Sequence, residues 1–293
     1  MSIKSHADND ELGNAAAHFF KSGSVTRSSA NDALEQVTAL LPEEGNFGTN
    51  LEYDLWYSFN DSIHGYVYTD VMTKFVYIKP ASKKYANQIM RIATTETITE
   101  EGQYILEDIA NNNSDKYNLK KARKSYDFVI FLPGTNCIND VIDFGKITNA
   151  VRQGAKLKMH PLTSKGLETK LKNDFGKETI IDKKIAGHQL LENAAIVGCG
   201  MNSEMGLVAL SKGKKVYLFD KDDGKRNWTY TPIYKAIQTN NGLSQEKWLR
   251  ILSSKYSGLV PHMIENPKER IEHFFTYFKG TKHNVKNSNT RNK

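Results

Sequence analysis

Asp127-Phe128-Val129-Ile130-Phe131-Leu132, followed at once by Pro133-Gly134, is the stretch on which the fold turns. An unbroken apolar run closed by a turn pair predicts a short strand buried on both faces. Toward the C-terminus four similar runs follow: Ala155–Met159 ended by His160-Pro161, Glu178–Ile181, Ala194–Val197 ended by Gly198, and Lys215–Phe219. The segments Ile138–Gln153, Ser164–Phe175, Ile185–Glu192 and Ser203–Lys212 lie between them and have helical spacing. Strand and helix alternating in this way predict right-handed βαβ units and a doubly wound parallel sheet.

Beyond Lys221 the pattern turns helical. Ser244–Tyr256 opens on a capping serine and sets Trp248, Leu249 and Leu252 on one face. Asn266-Pro267 opens another helix, with Ile271, Phe274, Phe275 and Phe278 along one stripe. The first half reads as short strands at Ser2–Ala7, Leu55–Phe59 and Lys74–Ile78. Its predicted helices are Gly13–Ser22, Asn31–Leu41, Ser82–Ala93 and Thr99–Ala110. The polar stretch Asn111–Asp115 marks a break. The expected organisation is therefore a first domain over 1–115, a basic linker over 116–124, a second domain over 125–278 and a basic tail over 279–293.

With 293 residues and 39% hydrophobic content, the chain can build a substantial core. No apolar run reaches the roughly 18–20 residues that cross a bilayer, and the acidic opening MSIKSHADND lacks a signal-peptide core. Two cysteines, Cys137 and Cys199, are too few for a disulfide framework. A monomer in the cytoplasm, without membrane contact, is expected. The net charge of +7 is concentrated in two places. One is the cluster Lys116–Lys124, with Lys120, Lys121, Arg123 and Lys124; the other is the tail, with Lys282 and Lys286. Such clusters fit a polyanionic partner, duplex DNA above all, or are simply solvated.

In an open parallel sheet, ligands bind at the carboxyl ends of the strands. Three predicted strand ends carry suitable residues: Gly134, Thr135 and Asn136; Lys158, His160 and Pro161; and Asn202, Ser203 and Glu204 ahead of a helix. Backbone N–H groups and hydroxyls there predict an anion-binding rim. An imidazole at His160 is placed to neutralise a phosphate leaving group. The sequence contains no His-x-His and no His-Glu-x-x-His, so neither a metal nor another cofactor is expected.

The motifs VIFLPGTN, LKMHPLT and NSEMGLVALSKGKKVYLFD, within Asp127–Asp220, resemble the C-terminal half of GT-B glycosyltransferases. The resemblance is to the branch containing bacterial sialyl- and capsule-polysaccharide transferases. It rests on Lys158-x-His160-Pro161 and on Ser203, Ala209, Gly213, Lys214, Lys215, Val216 and Asp220. It implies two Rossmann-like domains, a nucleotide-sugar donor linked to UDP or CMP, and no dependence on a metal. It also implies donor phosphates held at the three strand ends and a donor ribose bonded by Glu204. Met201-Asn202-Ser203 stands where paired hydroxyls are often found. The first half is similar to the acceptor domain of that fold, with Asp8, Asp10, Glu11 and Gly13 facing the cleft and a second acid, Asp61, near His64. Asp61 is the first candidate for the base that deprotonates the acceptor, and Asp8 the second; either acid equally fits a turn or helix cap.

Size, charge and Asn/Lys content are also similar to the phage enzymes that glucosylate or arabinosylate hydroxymethylcytosine in DNA. That reading implies a base flipped into the cleft, with Trp56, Tyr57 or Trp228 available for stacking. Three functions follow: a DNA-modifying glycosyltransferase, a sialyl- or capsule-type transferase acting on a surface glycan, and a non-catalytic nucleotide- or nucleic-acid-binding protein.

Overall fold

The computed structural model describes residues 2–5, 36–37, 40, 47–51, 55–58, 65–70, 73–80, 82–112, 119–135, 137–221 and 227–277. The expected helices 13–22 and 31–41 fall almost wholly outside these residues.

The N-terminal strands are β1 (Ser2–Ser5), β2 (Phe47–Leu51), β3 (Leu55–Ser58), β4 (Gly65–Asp70) and β5 (Phe75–Pro80). They form one sheet in the order β1-β3-β2-β4-β5, and a late strand pairs with its β5 edge. Every pairing in it is antiparallel except β2 with β4. This corrects the expectation of a Rossmann-like first domain. Only residues 71–74 separate β4 from β5, and only 52–54 separate β2 from β3. Parallel neighbours need a crossover of a dozen or more residues, so these pairs must be antiparallel. Two helices follow, α1 (Lys83–Ala93) and α2 (Glu100–Asn111), capped by Ser82 and Thr99 side chains.

The second half forms the predicted parallel sheet. Its strands are β6 (Phe128–Phe131), β7 (Lys156–Lys158), β8 (Ile180–Ile181), β9 (Ile196–Cys199) and β10 (Lys215–Leu218). Their order is β10-β9-β6-β7-β8, parallel at each pairing. Between them run α3 (Ile138–Val141), α4 (Phe144–Arg152), α5 (Lys165–Phe175), α6 (Gly187–Asn193) and α7 (Met205–Ser211). The single helix expected over 138–153 is two. Ile142 leaves the helix to form an antiparallel bridge with Asp220, and the Asp143 carboxylate then caps α4 through the Gly145 and Lys146 N–H groups.

The chain continues through α8 (Thr231–Ile237), the small hairpin β11 (Gln238–Thr239) and β12 (Gly242–Leu243), α9 (Gln245–Ser253), β13 (Leu259–Pro261) and α10 (267–277). β13 is the strand that completes the N-terminal sheet beside β5. No described helix is long and apolar enough to cross a membrane.

Period-2 alternation assigns side chains to cores. On β6, Val129 and Phe131 enter one apolar cluster, while Ile130 and Leu132 enter another with Leu157, Met159 and Ile142. On β5, Phe75 and Tyr77 join the first of these, and Val76 and Ile78 face α10 through Phe274 and Phe275. Residues from both halves thus share one core, in which Phe75 packs against Tyr230 and Trp248. α1 lies on α8, and α2 on α7 and α9. Lys79 also points across this boundary and is buried, with its ammonium donating to the carbonyls of Asn227 and Trp228.

Candidate functional site

The strand order decides where a crevice opens. From β6 the chain moves outward through β7 and β8, then returns to the other side of β6 for β9 and β10. The loops leaving β6 and β9 therefore run to opposite sides, and the gap between them is a topological switch point.

Hydrogen bonds join the three predicted strand-end loops. After β6, Pro133 and Gly134 are buried, and the Gly134 carbonyl accepts from the N–H groups of Cys137 and Ile138. Thr135 Oγ1 accepts the Ser164 N–H at 2.8 Å, tying this loop to the one after β7. On the other side, Asn202 Nδ2 lies 3.5 Å from Cys137 Sγ, tying it to the loop after β9. Asn202 Oδ1 is buried and has no partner. A buried acceptor left unmatched is costly unless something else supplies a donor.

His160 follows β7, and its Nδ1 accepts the Leu162 N–H at 3.1 Å. That bond requires the neutral ring to carry its proton on Nε2. Pro161 is half-buried in the same turn, and the His160 carbonyl accepts the Thr163 N–H. Lys158 does not reach the rim as expected of a phosphate ligand. It is 3% exposed, and its ammonium donates to the carbonyls of Met159 and Lys183. Its action on the site runs through the backbone it braces. Lys183 in turn donates to the Thr163 carbonyl at 2.7 Å.

In the loop after β9, Ser203 Oγ accepts the Met205 N–H, and the Ser203 carbonyl accepts the buried Tyr234 hydroxyl at 2.5 Å. Glu204 occupies the N-cap of α7 without a side-chain cap bond. Both oxygens of Asp220 accept the Met201 N–H, at 2.9 and 3.0 Å. Burial is the main cause that pushes the Asp220 carboxyl up to about 6, against the opposing pull of the Met201 N–H and Lys146. Burial likewise pushes the Cys199 thiol up to about 12, so it is a packing group rather than a nucleophile.

The Asp220 shift has a definite sign. The folded state holds the proton more tightly than the unfolded chain, so this carboxyl's contribution to stability is complete below pH 4 and is lost as pH rises through 6. Relative to Asp220→Asn, the wild-type protein should lose about 2 kcal/mol of unfolding free energy between about pH 4 and about pH 7. Urea unfolding of both proteins across that range checks it.

Lys120, Lys121, Arg123 and Lys124 are exposed, but their segment is not a free linker. The Lys120 N–H donates to the Lys184 carbonyl, the Ala186 N–H donates to the Lys120 carbonyl, and the Ala122 N–H donates to Gln189 Oε1. Asp8, Asp61, Asn136, Lys282 and Lys286 lie outside the described residues. Among the described residues no three His, Cys, Asp or Glu side chains gather in one place. The sequence reading left Asp220 out of its donor site and missed Tyr234, Cys137 and Lys183. Asp220 could have been found as the acid ending the fifth strand. The other three act through contacts with no local sequence signal.

The chain matches no protein-family model and no curated protein. The solved structures similar to it include two from Thermosulfurimonas dismutans. One is KpsC, beta Kdo 2,7 transferase, at 14% identity and a TM-score of 0.40, covering 74% of this chain and 79% of that one. The other is KpsC, beta Kdo 2,4 transferase, at 15% identity and a TM-score of 0.41, covering 64% of this chain and 71% of that one.

Proposed function

We propose that the chain is a glycosyltransferase that takes a sugar from a nucleotide-sugar donor, with the donor phosphates at the switch point between β6 and β9. The observation that carries this reading is the cross-linked rim: three strand-end loops joined through Thr135–Ser164 and Asn202–Cys137, with a buried acceptor unmatched beside them. Thr135 and Ser203 each accept one backbone N–H, which leaves each hydroxyl proton for a phosphate oxygen. His160 Nε2 donates to the phosphate that departs as the anomeric bond breaks. Asn202 Oδ1 suits a donor group of the ligand, a nucleoside hydroxyl or an amine. Asp220 holds the loop in place through Met201, and Glu204 keeps the ribose-binding role implied by resemblance. The proton from the acceptor hydroxyl goes to Asp61 or, second, Asp8.

Of the two acceptors raised by the sequence, we favour a glycan. Trp228 is one of the aromatics available to stack on a base, and its carbonyl accepts the buried Lys79 ammonium while its side chain packs against the apolar cluster that includes Ile130, Leu157 and Phe219. Donor turnover tests the proposal. CMP- and UDP-linked sugars are incubated with wild-type protein and His160→Gln, and release of the nucleotide is followed. The wild type should release nucleotide from one of these donors, and His160→Gln about a hundredfold more slowly while its thermal unfolding is unchanged. Nucleotide binding without turnover in the wild type would sink the transferase reading and leave a binding protein.

A further inference from the structure

We infer that the ribbon Lys120–Lys124 is a docking track for an acidic glycan chain, leading to the carboxyl edge of the parallel sheet where the donor is proposed to bind. In calling that glycan the acceptor, the inference rests on the transferase reading; the binding itself does not. Three observations carry it.

The ribbon is held in place. Its backbone bonds to Lys184, Ala186 and Gln189, while Ala122 and Tyr126 pack onto the core, so the intervening cations face outward. Lys120, Lys121, Arg123 and Lys124 are all exposed, as is Lys184 beside them, and none forms an ion pair with a described residue. Five exposed charges without an ion-pair partner among the described residues repel one another and favour a polyanion that displaces their counterions.

The start of the ribbon is also linked to the proposed site through the turn after β8. Lys120 bonds residues that directly follow β8, and Lys183 in that turn donates to the Thr163 carbonyl in the His160 loop. A chain lying on the cations therefore has a direct way to the rim.

The third observation is the ribbon's small extent. Its four cations sit within five residues, which span at most about 18 Å even when fully extended, with exposed carboxylates at Asp127 and Asp182 on its flanks. A DNA duplex needs a broader cationic face, and bases need stacking rings. Residues 120–124 carry no ring, and Tyr126, just beyond them, packs against the core. One acidic strand, carrying a carboxylate on each sugar, fits better.

The test is fluorescence anisotropy with a labelled oligogalacturonate, a neutral malto-oligosaccharide of equal length and a DNA duplex, without nucleotide present. The wild-type full chain should bind oligogalacturonate and not the neutral glycan, with affinity falling steeply between about 50 and about 200 mM salt. The variant K120Q/K121Q/R123Q/K124Q should bind about tenfold or more weakly, while the remote Lys268→Gln binds as the wild type does. If the fourfold variant unfolds, K121Q/R123Q, which leaves Lys120 in place, should show about half of the loss on a logarithmic scale. No binding, equal binding by the variants, or tighter binding of the duplex than of oligogalacturonate overturns the inference. Ribbon-dependent glycan binding with no turnover of any nucleotide sugar sinks the transferase reading instead and leaves the ribbon standing.

Discussion

Gly206→Ala should lower the unfolding free energy by about 2 kcal/mol and abolish nucleotide binding with it. In an ordinary helix the same change would stabilise by about 1 kcal/mol, because alanine is the better helix former. Here the sign reverses because of what the new methyl meets. A Cβ at Gly206 would lie 2.4 Å from both Cys199 Sγ and the Tyr234 hydroxyl. Both side chains are fully buried, so neither can swing into solvent. The tyrosine hydroxyl also donates to the Ser203 carbonyl, the bond that fixes the loop after β9. Relief of the clash moves that loop, leaves a carbonyl unmatched and carries Asn202 and Ser203 off the rim. Urea unfolding with an unchanged m value, together with nucleotide titration, measures both effects. Tyr234→Phe, which removes the obstructing oxygen, should restore part of the stability of Gly206→Ala but not its nucleotide binding. An alanine variant as stable as the wild type, and still binding nucleotide, would show that the close approach does not exist.

The second large effect concerns Lys79. The residue is 2% exposed, and burial pushes its ammonium down to about 7 from an ordinary 10.5. The Asn227 and Trp228 carbonyls and the Tyr68 ring oppose that push by holding the charged form. Because the folded pKa is depressed, the unfolded chain binds the proton more tightly. The stability from this group is therefore present at high pH and is lost as pH falls through 7. Between about pH 7 and about pH 9 the wild-type protein should gain about 2 kcal/mol relative to Lys79→Met. Lys79→Met also leaves two carbonyls without their donor, so at either pH it should be the less stable protein. Chemical denaturation at the two pH values gives the difference. A wild-type curve parallel to that of Lys79→Met would mean that the amine is solvated, and that β5 is not pinned to residues 227–228.

Much of the parallel sheet is legible in the sequence because its strands are short, apolar on both faces and closed by Pro133-Gly134, His160-Pro161 or Gly198. Local pattern is sufficient where burial is complete. Capping serines likewise mark real helix starts at Ser82, Ser164 and Ser244. The first half is less legible. Leu55–Ser58 and Phe75–Pro80 are strands as expected, yet nothing in their composition announces antiparallel partners; only the short connections do. β13, far along the chain, joins that sheet through a pairing of high sequence separation that no local pattern encodes. At the site, Thr135, His160, Asn202 and Ser203 could be placed because strand ends are predictable. Lys158 could not be read correctly, since whether a lysine at a strand end faces solvent or turns back on carbonyls depends on the neighbouring turn. Asp220 and Tyr234 gain their roles from neighbours distant in sequence, Met201 and Ser203.

Backbone hydrogen exchange with and without a saturating nucleotide sugar tests the central claim most directly. Added protection should concentrate at 134–137, 160–164 and 200–204, the three loops at the carboxyl ends of β6, β7 and β9. Protection confined to other segments, or none while the nucleotide is bound, would contradict it.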